Sequence, residues 1–343
     1  MTCPSFIQFY PTLRCNQKCS FCFNQSIPDL NVKQDMSEKQ AFALVDTLMR
    51  AGIMELDILG GEPMLVPWMK DFVRYATGAR ITVNISTNGS LPEMVHTIAK
   101  IPTRLLNIGF SLHGFSDTHN AITMSDNFNF VLEGIRKTIE EGKNPIVKSV
   151  LTRTNRGEIQ ALIHYLGELG IKRYFLLHED IIGRQQHAGC LSFPDFMRYF
   201  STLRSDLREI PDIGFVAASG FYKCGSRACR RCDAGTTKLA VLPDGSTFPC
   251  NLFLGFKEFC LGNILRDEFE TIHNHPILQR FRQFNGNVCS SIQCTQYESC
   301  GGGCPAHSYY FYRNLDAPDP RCRCNQSDGE RKGRQIRKCR KLY

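Results

Sequence analysis

The chain has 343 residues, of which 42% are hydrophobic and 22% charged, and its formal net charge is +8. These proportions are typical of a globular protein of about two domains, and they exclude a collagen, a coiled coil and a disordered chain. Because there is no apolar run of membrane-spanning length and no secretory-signal pattern, we expect a cytoplasmic protein.

Apolar runs alternate with helical patterns along the first half of the chain. The runs predict six strands: Phe6–Tyr10, Leu56–Leu59, Ile81–Ser86, Leu105–Leu112, Val147–Leu151 and Tyr174–Leu177. A capping box at Ser37 and apolar residues at helical spacing predict intervening helices, among them Val66–Thr77, Pro92–Ala99, Phe128–Glu141 and Glu158–Leu169. About six β/α units predict an α/β fold with a parallel sheet, a partial (β/α)6 TIM-like barrel that binds ligands at the C-terminal ends of its strands.

The pattern changes after residue 180. A helix is predicted near Asp195–Leu207, and Pro243-Asp244-Gly245 predicts a hairpin between Lys238–Leu242 and Ser246–Pro249. We therefore predict a barrel over 1–185, a connecting helical segment over 186–219, a cysteine-rich domain over 220–325 and a basic tail over 326–343. The tail is either a solvated end or a contact for an acidic peptide or nucleic acid, although the mildly basic remainder does not indicate a nucleic-acid-binding protein.

Seventeen cysteines are the most unusual feature of the composition. Most lie in groups, which favours metal binding over scattered buried thiols or a secreted disulfide framework. The first group, Cys15, Cys19 and Cys22, has C-x3-C-x2-C spacing directly after the first strand. Three thiolates can hold three irons of a [4Fe–4S] cluster and leave the fourth iron open, whereas a structural zinc site needs four ligands.

With Phe21 before its last cysteine, this motif resembles that of the radical S-adenosylmethionine (SAM) superfamily. The resemblance implies a SAM-binding cluster and assigns the methionine amino group to Gly60-Gly61-Glu62-Pro63 and the ribose to Ser86 and Asn88. It also implies that Ser111, at the end of the fourth strand, contacts the cofactor. Many relatives have Asp where this chain has His113, and Arg where it has Thr123. His113 can equally be a structural histidine. Arg153 could replace that arginine.

The C-terminal cysteines resemble the SPASM extension of peptide-modifying radical enzymes, which carries two auxiliary [4Fe–4S] clusters. The resemblance implies a first auxiliary cluster on Cys232, Cys250, Cys304 and either Cys224 or Cys229. A second would use Cys289, Cys294, Cys300 and Cys322, although four residues separate Cys289 from Cys294 where the family has two. Six remaining cysteines would be ordinary thiols: Cys3, Cys190, Cys260, Cys324, Cys339 and the other one of Cys224 and Cys229. A zinc ribbon is the alternative for this region.

The resemblance implies an enzyme with three [4Fe–4S] clusters that converts SAM to a 5′-deoxyadenosyl radical and abstracts hydrogen from a peptide or protein substrate. Modification of a tetrapyrrole or metal-cofactor precursor is the alternative, and an iron–sulfur electron carrier or redox sensor is the non-enzymatic one. An external donor such as flavodoxin or ferredoxin is implied, with a separate leader-binding protein possible because the first strand begins by Phe6. Asn251 stands where formylglycine-forming relatives have an aspartate base, which disfavours that reaction. We expect an apolar barrel wall around the radical.

Overall fold

Ten strands form one sheet in the computed structural model, which describes residues 4–26, 34–182, 189–207, 212–216, 232–284, 286–287 and 301–322. Their bounds are β1 Phe6–Phe9, β2 Glu55–Ile58, β3 Thr82–Thr87, β4 Leu106–Ser111, β5 Ile146–Leu151, β6 Arg173–His178, β7 Asp212–Val216, β8 Lys238–Val241, β9 Ser246–Phe248 and β10 Gly262–Asn263. The spatial order is β10-β9-β8-β1-β2-β3-β4-β5-β6-β7, and the strands from β8 to β7 run parallel.

Helices connect these strands and cover one face of the sheet. Their bounds are α1 Glu38–Arg50, α2 Met69–Gly78, α3 Pro92–Ala99, α4 Ser116–Thr123, α5 Phe128–Glu140, α6 Ile159–Glu168, α7 Phe193–Asp206, α8 Phe269–His273, α9 Ile277–Arg282 and α10 Pro305–Tyr312. The predicted capping box is present, because the Ser37 hydroxyl accepts from Gln40 N and the Gln40 side chain accepts from Ser37 N. The α/β prediction of a partial barrel with a parallel sheet is confirmed, and the structure adds α4 and β7 to it.

The predicted hairpin continues the barrel sheet. Strand β8 pairs in parallel with β1, with Phe6 opposite Lys238, and β9 returns antiparallel to β8. Gly245 makes the turn with a φ of 86°, which favours glycine. The cysteine-rich region is therefore joined to the barrel through a shared sheet.

The face of the sheet opposite the helices is polar across β2, β3 and β4. Asn84 donates to Asp57 Oδ1 at 2.8 Å, and Lys148 Nζ donates to Ser86 Oγ at 2.8 Å. Apolar residues such as Ile85 alternate with these and are buried toward the helices. The expected apolar wall is therefore absent from this part of the uncovered face, whereas Val150, Phe175 and Leu177 lie on the same face in β5 and β6.

Among the described residues, no helix combines the length and the apolar composition that crossing a membrane requires.

Candidate functional site

The loop that carries Cys15, Cys19 and Cys22 follows β1 and is held by the end of α4. Lys18 N donates to the Thr123 carbonyl at 3.2 Å, and Ser20 N donates to the Ile122 carbonyl at 2.8 Å. Thr123, at the position of the family's arginine, is buried, and its hydroxyl donates to the His119 carbonyl at 2.9 Å. Helix α4, which the sequence pattern did not predict, therefore positions the cysteine loop.

The three thiols of this loop lie near its surface, with Cys15 exposed and Cys19 and Cys22 half-buried. Desolvation, with a smaller contribution from neighbouring thiols, raises the pKa of Cys15 to about 11 and that of Cys19 to about 12. The Cys15 sulfur accepts from Gln17 N at 3.4 Å and from Asn88 Nδ2 at 3.8 Å. Thiolates here need compensating positive charge, which iron supplies.

This donor set fits a cluster with one open iron. The structure describes all three cysteines, and nowhere in its described ranges do three His, Cys, Asp or Glu side chains stand at the spacing that coordinates one metal ion. Holding a cluster thus requires the three sulfurs to turn toward one another. Three soft thiolates on one loop are the ligands that iron–sulfur clusters take.

Gly60 and Gly61 bring the end of β2 against the segment that leads into the cysteine loop. Gly61 N donates to the Thr12 carbonyl at 2.9 Å, and Glu62 N donates to the Arg14 carbonyl at 2.8 Å. A Cβ on Gly61 would lie 1.9 Å from the Arg14 oxygen, and one on Gly60 would lie 2.6 Å from the Thr12 oxygen. These two glycines therefore allow the end of β2 to lie close to the backbone of Thr12 and Arg14.

Glu62 joins the ends of β2 and β3. One carboxylate oxygen accepts from Met64 N at 3.0 Å and from the Thr87 hydroxyl at 2.7 Å, and the other accepts from Asn88 N at 2.7 Å. Burial raises the pKa of Glu62 to about 7 against these hydrogen bonds. Pro63 begins a short 3-10 helix, Pro63–Leu65.

The predicted ribose-side residues lie at the same edge. Asn88 Nδ2 donates to Asn16 Oδ1 in the cysteine loop at 2.9 Å. Ser86 and Ser111 lie on the uncovered face near the ends of β3 and β4, with Lys148 opposite Ser111 on β5. Sequence reasoning missed Lys148, although its position in the alternating β5 pattern placed it on this face.

His113 contacts both β5 and the cysteine loop. It is buried, its Nδ1 accepts from Val150 N at 3.2 Å, and its ring meets Phe21 edge to face at 4.8 Å between centroids. Burial holds its pKa well below the usual value, so the ring is neutral. Phe21 thereby packs the cysteine loop onto the end of β4.

Arg153 lies two residues after β5, at the C-terminal edge of the sheet. It borders a cavity of about 440 Å³ whose lining includes no residue of the cysteine loop. The full lining is Arg153, Arg156, Leu191, Asp195, Arg198, Tyr199 and Thr202.

Cys232, Cys250 and Cys304 lie close enough to Lys238 to raise its pKa electrostatically, whereas burial, the largest single effect, lowers it. All three are buried, and burial raises the pKa of each thiol. Cys250 raises the pKa of Cys232, both raise that of Cys304, and Lys238 lowers those of Cys232 and Cys250. The structure thus brings three predicted ligands of the first auxiliary cluster together and adds a cation that the sequence analysis did not identify.

The other cysteines are partly outside the described residues. Those outside are Cys3, Cys224, Cys229, Cys289, Cys294, Cys300, Cys324 and Cys339, as is the basic tail. Cys322 is half-buried, and its N donates to the Asp319 carbonyl at 3.1 Å. The thiols of Cys190 and Cys260 donate to backbone carbonyls.

Asn251 links the C-terminal region to β1. Its N donates to Gln8 Oε1 at 3.0 Å, and its side chain hydrogen-bonds to the buried Tyr10, whose pKa is raised by burial. Gln8 lies opposite Asp57 in the sheet, so Asn251 packs over the uncovered face of β1.

A buried ion pair, not foreseen from the sequence, joins the same two regions. Arg321 Nη2 donates to Asp319 Oδ2 at 2.9 Å, and its Nη1 donates to Asp180 Oδ1, after β6, at 3.2 Å. Asp319 Oδ2 also accepts from Cys304 N at 2.9 Å. Arg321 therefore fixes the Cys304 segment against the barrel.

Two family models match the segments that hold these cysteines. Residues 9–166 match the Radical SAM superfamily model, and residues 232–305 match SPASM, an iron-sulfur cluster-binding domain. The chain therefore contains a radical SAM domain and a SPASM domain. The first match contains Cys15, Cys19 and Cys22, and the second contains the Cys232, Cys250 and Cys304 group.

The alignments with similar proteins cover nearly the whole length of this chain. Mycofactocin maturase MftC of Mycobacterium tuberculosis is 26% identical and is aligned over 91% of this chain and 81% of its own. Subtilosin biosynthesis protein AlbA of Bacillus subtilis is 25% identical, over 87% and 67%. Streptococcus suis SuiB bound to S-adenosylmethionine shares the fold, with a TM-score of 0.75, 18% identity and coverage of 93% and 75%. The anSMEcpe structure with bound AdoMet has a TM-score of 0.74, 18% identity and coverage of 98% and 95%.

Proposed function

We propose that this radical SAM protein is an enzyme that matures a peptide or protein. The observation that carries the proposal is the cysteine loop at the C-terminal edge of the sheet, joined by backbone and side-chain hydrogen bonds to the ends of β2, β3 and α4. An electron carrier would not need these polar strand ends beside its cluster.

The residues present fit the expected cofactors. Cys15, Cys19 and Cys22 would hold the radical cluster, and the backbone at Gly61–Pro63 with Ser86, Asn88 and Ser111 would hold SAM. The auxiliary clusters would be held by Cys232, Cys250, Cys304 and one of Cys224 and Cys229, and by Cys289, Cys294, Cys300 and Cys322. When bound, the reduced radical cluster supplies the electron that cleaves SAM and yields the 5′-deoxyadenosyl radical.

The chain's own part is to position the reactants. Glu62 holds the ends of β2 and β3 together through its hydrogen bonds. His113 packs against Phe21 and thereby helps to hold the cysteine loop against β4. Lys148 and Asn251 contribute polar groups to the uncovered face, where we place the substrate. Since an amide cannot accept a proton as a base, Asn251 serves in positioning, and formylglycine formation is not proposed.

Peptide maturation is supported by the relatives. MftC and AlbA are maturation and biosynthesis proteins by name, and one SuiB structure holds its precursor peptide SuiA. We further propose that a flavodoxin or ferredoxin supplies electrons in the cytoplasm and that a separate protein can present the leader of the substrate.

Tetrapyrrole modification is the second candidate. The AdoMet-dependent heme synthase of Methanosarcina barkeri is 23% identical and matches 93% of this chain and 96% of its own length. This agreement in length favours a similar overall organisation.

Anaerobic reconstitution tests the proposal. Dithionite-reduced wild-type protein should release 5′-deoxyadenosine from SAM, and a candidate peptide, but not an iron porphyrin, should increase that release. The variant Cys15→Ala/Cys19→Ala/Cys22→Ala should lose cleavage while its iron falls from about twelve to about eight per chain, at four irons per cluster. Wild-type protein with intact clusters and no 5′-deoxyadenosine would refute the enzyme, and iron near four would refute two auxiliary clusters.

A further inference from the structure

We propose that the cavity between the β5–α6 loop and helix α7 binds an acidic segment of the peptide substrate; the inference rests on the proposed peptide maturation. Arg153 is the second residue after β5, so the cavity opens at the C-terminal edge of the sheet, as does the cysteine loop after β1. Its volume of about 440 Å³ lies within the range of about 300–1,000 Å³ that is usual for ligand sites.

The lining of the cavity is strongly cationic. Arg153, Arg156 and Arg198 contribute three guanidinium groups, and Asp195 is the one carboxylate among the lining residues. Asp195 is already engaged by Arg198 Nη1 at 2.9 Å and by the Ser192 hydroxyl at 2.7 Å. Arg153 and Arg156 are exposed and form no ion pair within the described ranges. Two guanidinium groups are thus available for an external carboxylate.

The backbone that carries these arginines is fixed. The Tyr199 hydroxyl donates to the Arg156 carbonyl at 2.6 Å, and Arg153 N donates to the Gly189 carbonyl at 3.0 Å. Because the loop is held at both ends, less ordering entropy opposes binding. Leu191 and the Tyr199 ring add apolar contact area beside the charges.

This combination fits an acidic peptide best. Guanidinium groups bind carboxylates in a bidentate manner, and an apolar lining accommodates the side chains that lie between acidic residues. A nucleic acid would favour several aromatic stacking surfaces, whereas Tyr199 is the one aromatic residue in the lining.

Fluorescence anisotropy with a defined probe tests this proposal. The probe is the fluorescein-labelled peptide Gly-Glu-Glu-Leu-Glu-Glu-Gly, and its control has Gln in place of every Glu. The full-length reconstituted protein is compared with the triple variant Arg153→Gln/Arg156→Gln/Arg198→Gln. The matched control removes three exposed arginines from the helical layer: Arg50→Gln/Arg74→Gln/Arg80→Gln.

We expect the cavity variant to bind the acidic probe at least tenfold more weakly, and the control variant to bind within twofold of wild type. Equal losses in both variants would overturn the proposal, because net charge would then explain binding. A dT10 oligonucleotide that binds more tightly than the probe and loses affinity in the cavity variant would instead assign the cavity to nucleic acid. Weakened SAM binding by Arg153→Gln would place that residue in the cofactor site and overturn its assignment here.

The same preparations separate this inference from the proposed function. Probe binding that depends on the cavity, in a protein that releases no 5′-deoxyadenosine, would support the anionic-peptide site and refute radical maturation. Release of 5′-deoxyadenosine without cavity-dependent probe binding would support the enzyme and refute the peptide site.

Discussion

Glu62 should stabilise the cofactor-binding edge even when no cofactor is bound. Its carboxylate accepts from two buried backbone N–H groups, of Met64 and Asn88, and from the Thr87 hydroxyl. Each buried donor left without a partner costs about 1–3 kcal/mol. Glu62→Ala should therefore lower the free energy of unfolding by about 3–5 kcal/mol. Glu62→Gln keeps one oxygen but turns an amide N–H₂ toward a donor, which should cost about 2 kcal/mol.

The control for these variants is Glu93→Gln, which removes an exposed ion pair with Lys137. Exposed pairs of this kind contribute little to stability, so this variant should unfold almost as the wild type does. The measurement is urea denaturation of apoprotein under reducing, anaerobic conditions. Equal stability of Glu62→Ala and Glu93→Gln would refute the role of Glu62 as a structural clamp. A loss of SAM affinity in Glu62→Gln without any loss of stability would show that Glu62 acts directly on the cofactor.

The raised pKa of Glu62 adds a pH signature. In the folded protein its pKa is about 7, whereas the ordinary value is 4.5. The folded state therefore binds the proton more tightly, so the stabilisation is fully present below pH about 4.5 and is lost as pH rises toward 7. A shift of this size corresponds to about 3 kcal/mol. Because Glu179 also has a raised pKa, the test is the difference between wild type and Glu62→Gln, which should shrink as pH rises across this interval.

Three further predictions concern residues that connect the two cysteine groups to the barrel. Gly61→Ala should destabilise the apoprotein by more than about 2 kcal/mol and lower its iron content, since a Cβ there lies 1.9 Å from a backbone oxygen; Gly78→Ala, with open space around it, should change stability by less than about 1 kcal/mol. Arg321→Met should cost about 3–5 kcal/mol in urea denaturation by leaving Asp319 charged and buried, and adding Asp319→Asn should recover part of that loss. Asn251→Ala should slow peptide-dependent turnover while peptide-independent 5′-deoxyadenosine release persists; equal loss of both activities would refute a substrate-side role.

Local sequence patterns predicted the barrel well because each of its strands is specified by residues that are close together in the sequence. All six predicted strands are present, with bounds shifted by a residue or two, since each combines an apolar stripe with turn residues at its ends. The pairing of β8 with β1 was not predictable, because it joins Phe6 to Lys238 across more than two hundred residues. Helix α4 was missed because its sequence, Ser116–Thr123, is mostly polar and lacks an apolar stripe.

The candidate site was predicted by motif rather than by geometry. The motifs identified the three cysteines near β1 and three of those near Lys238, but no pattern relates Glu62 to Asn88 or Asp319 to Arg321. Such pairs arise only when loops from different strands meet, and their energies depend on burial that the sequence does not encode locally.

The uncovered face of the sheet bears on the choice between the two candidate substrates. Gln8, Asp57 and Asn84 lie in one row across β1, β2 and β3. Burial raises the pKa of Asp57, and Lys148 and Lys238 oppose that rise. A peptide brings amide groups that lose water on binding and need hydrogen-bond partners, which this row supplies. A flat macrocycle presents few hydrogen-bonding groups on its ring faces and would match this row less well. The polarity of the row across β1, β2 and β3 therefore favours a peptide over a tetrapyrrole.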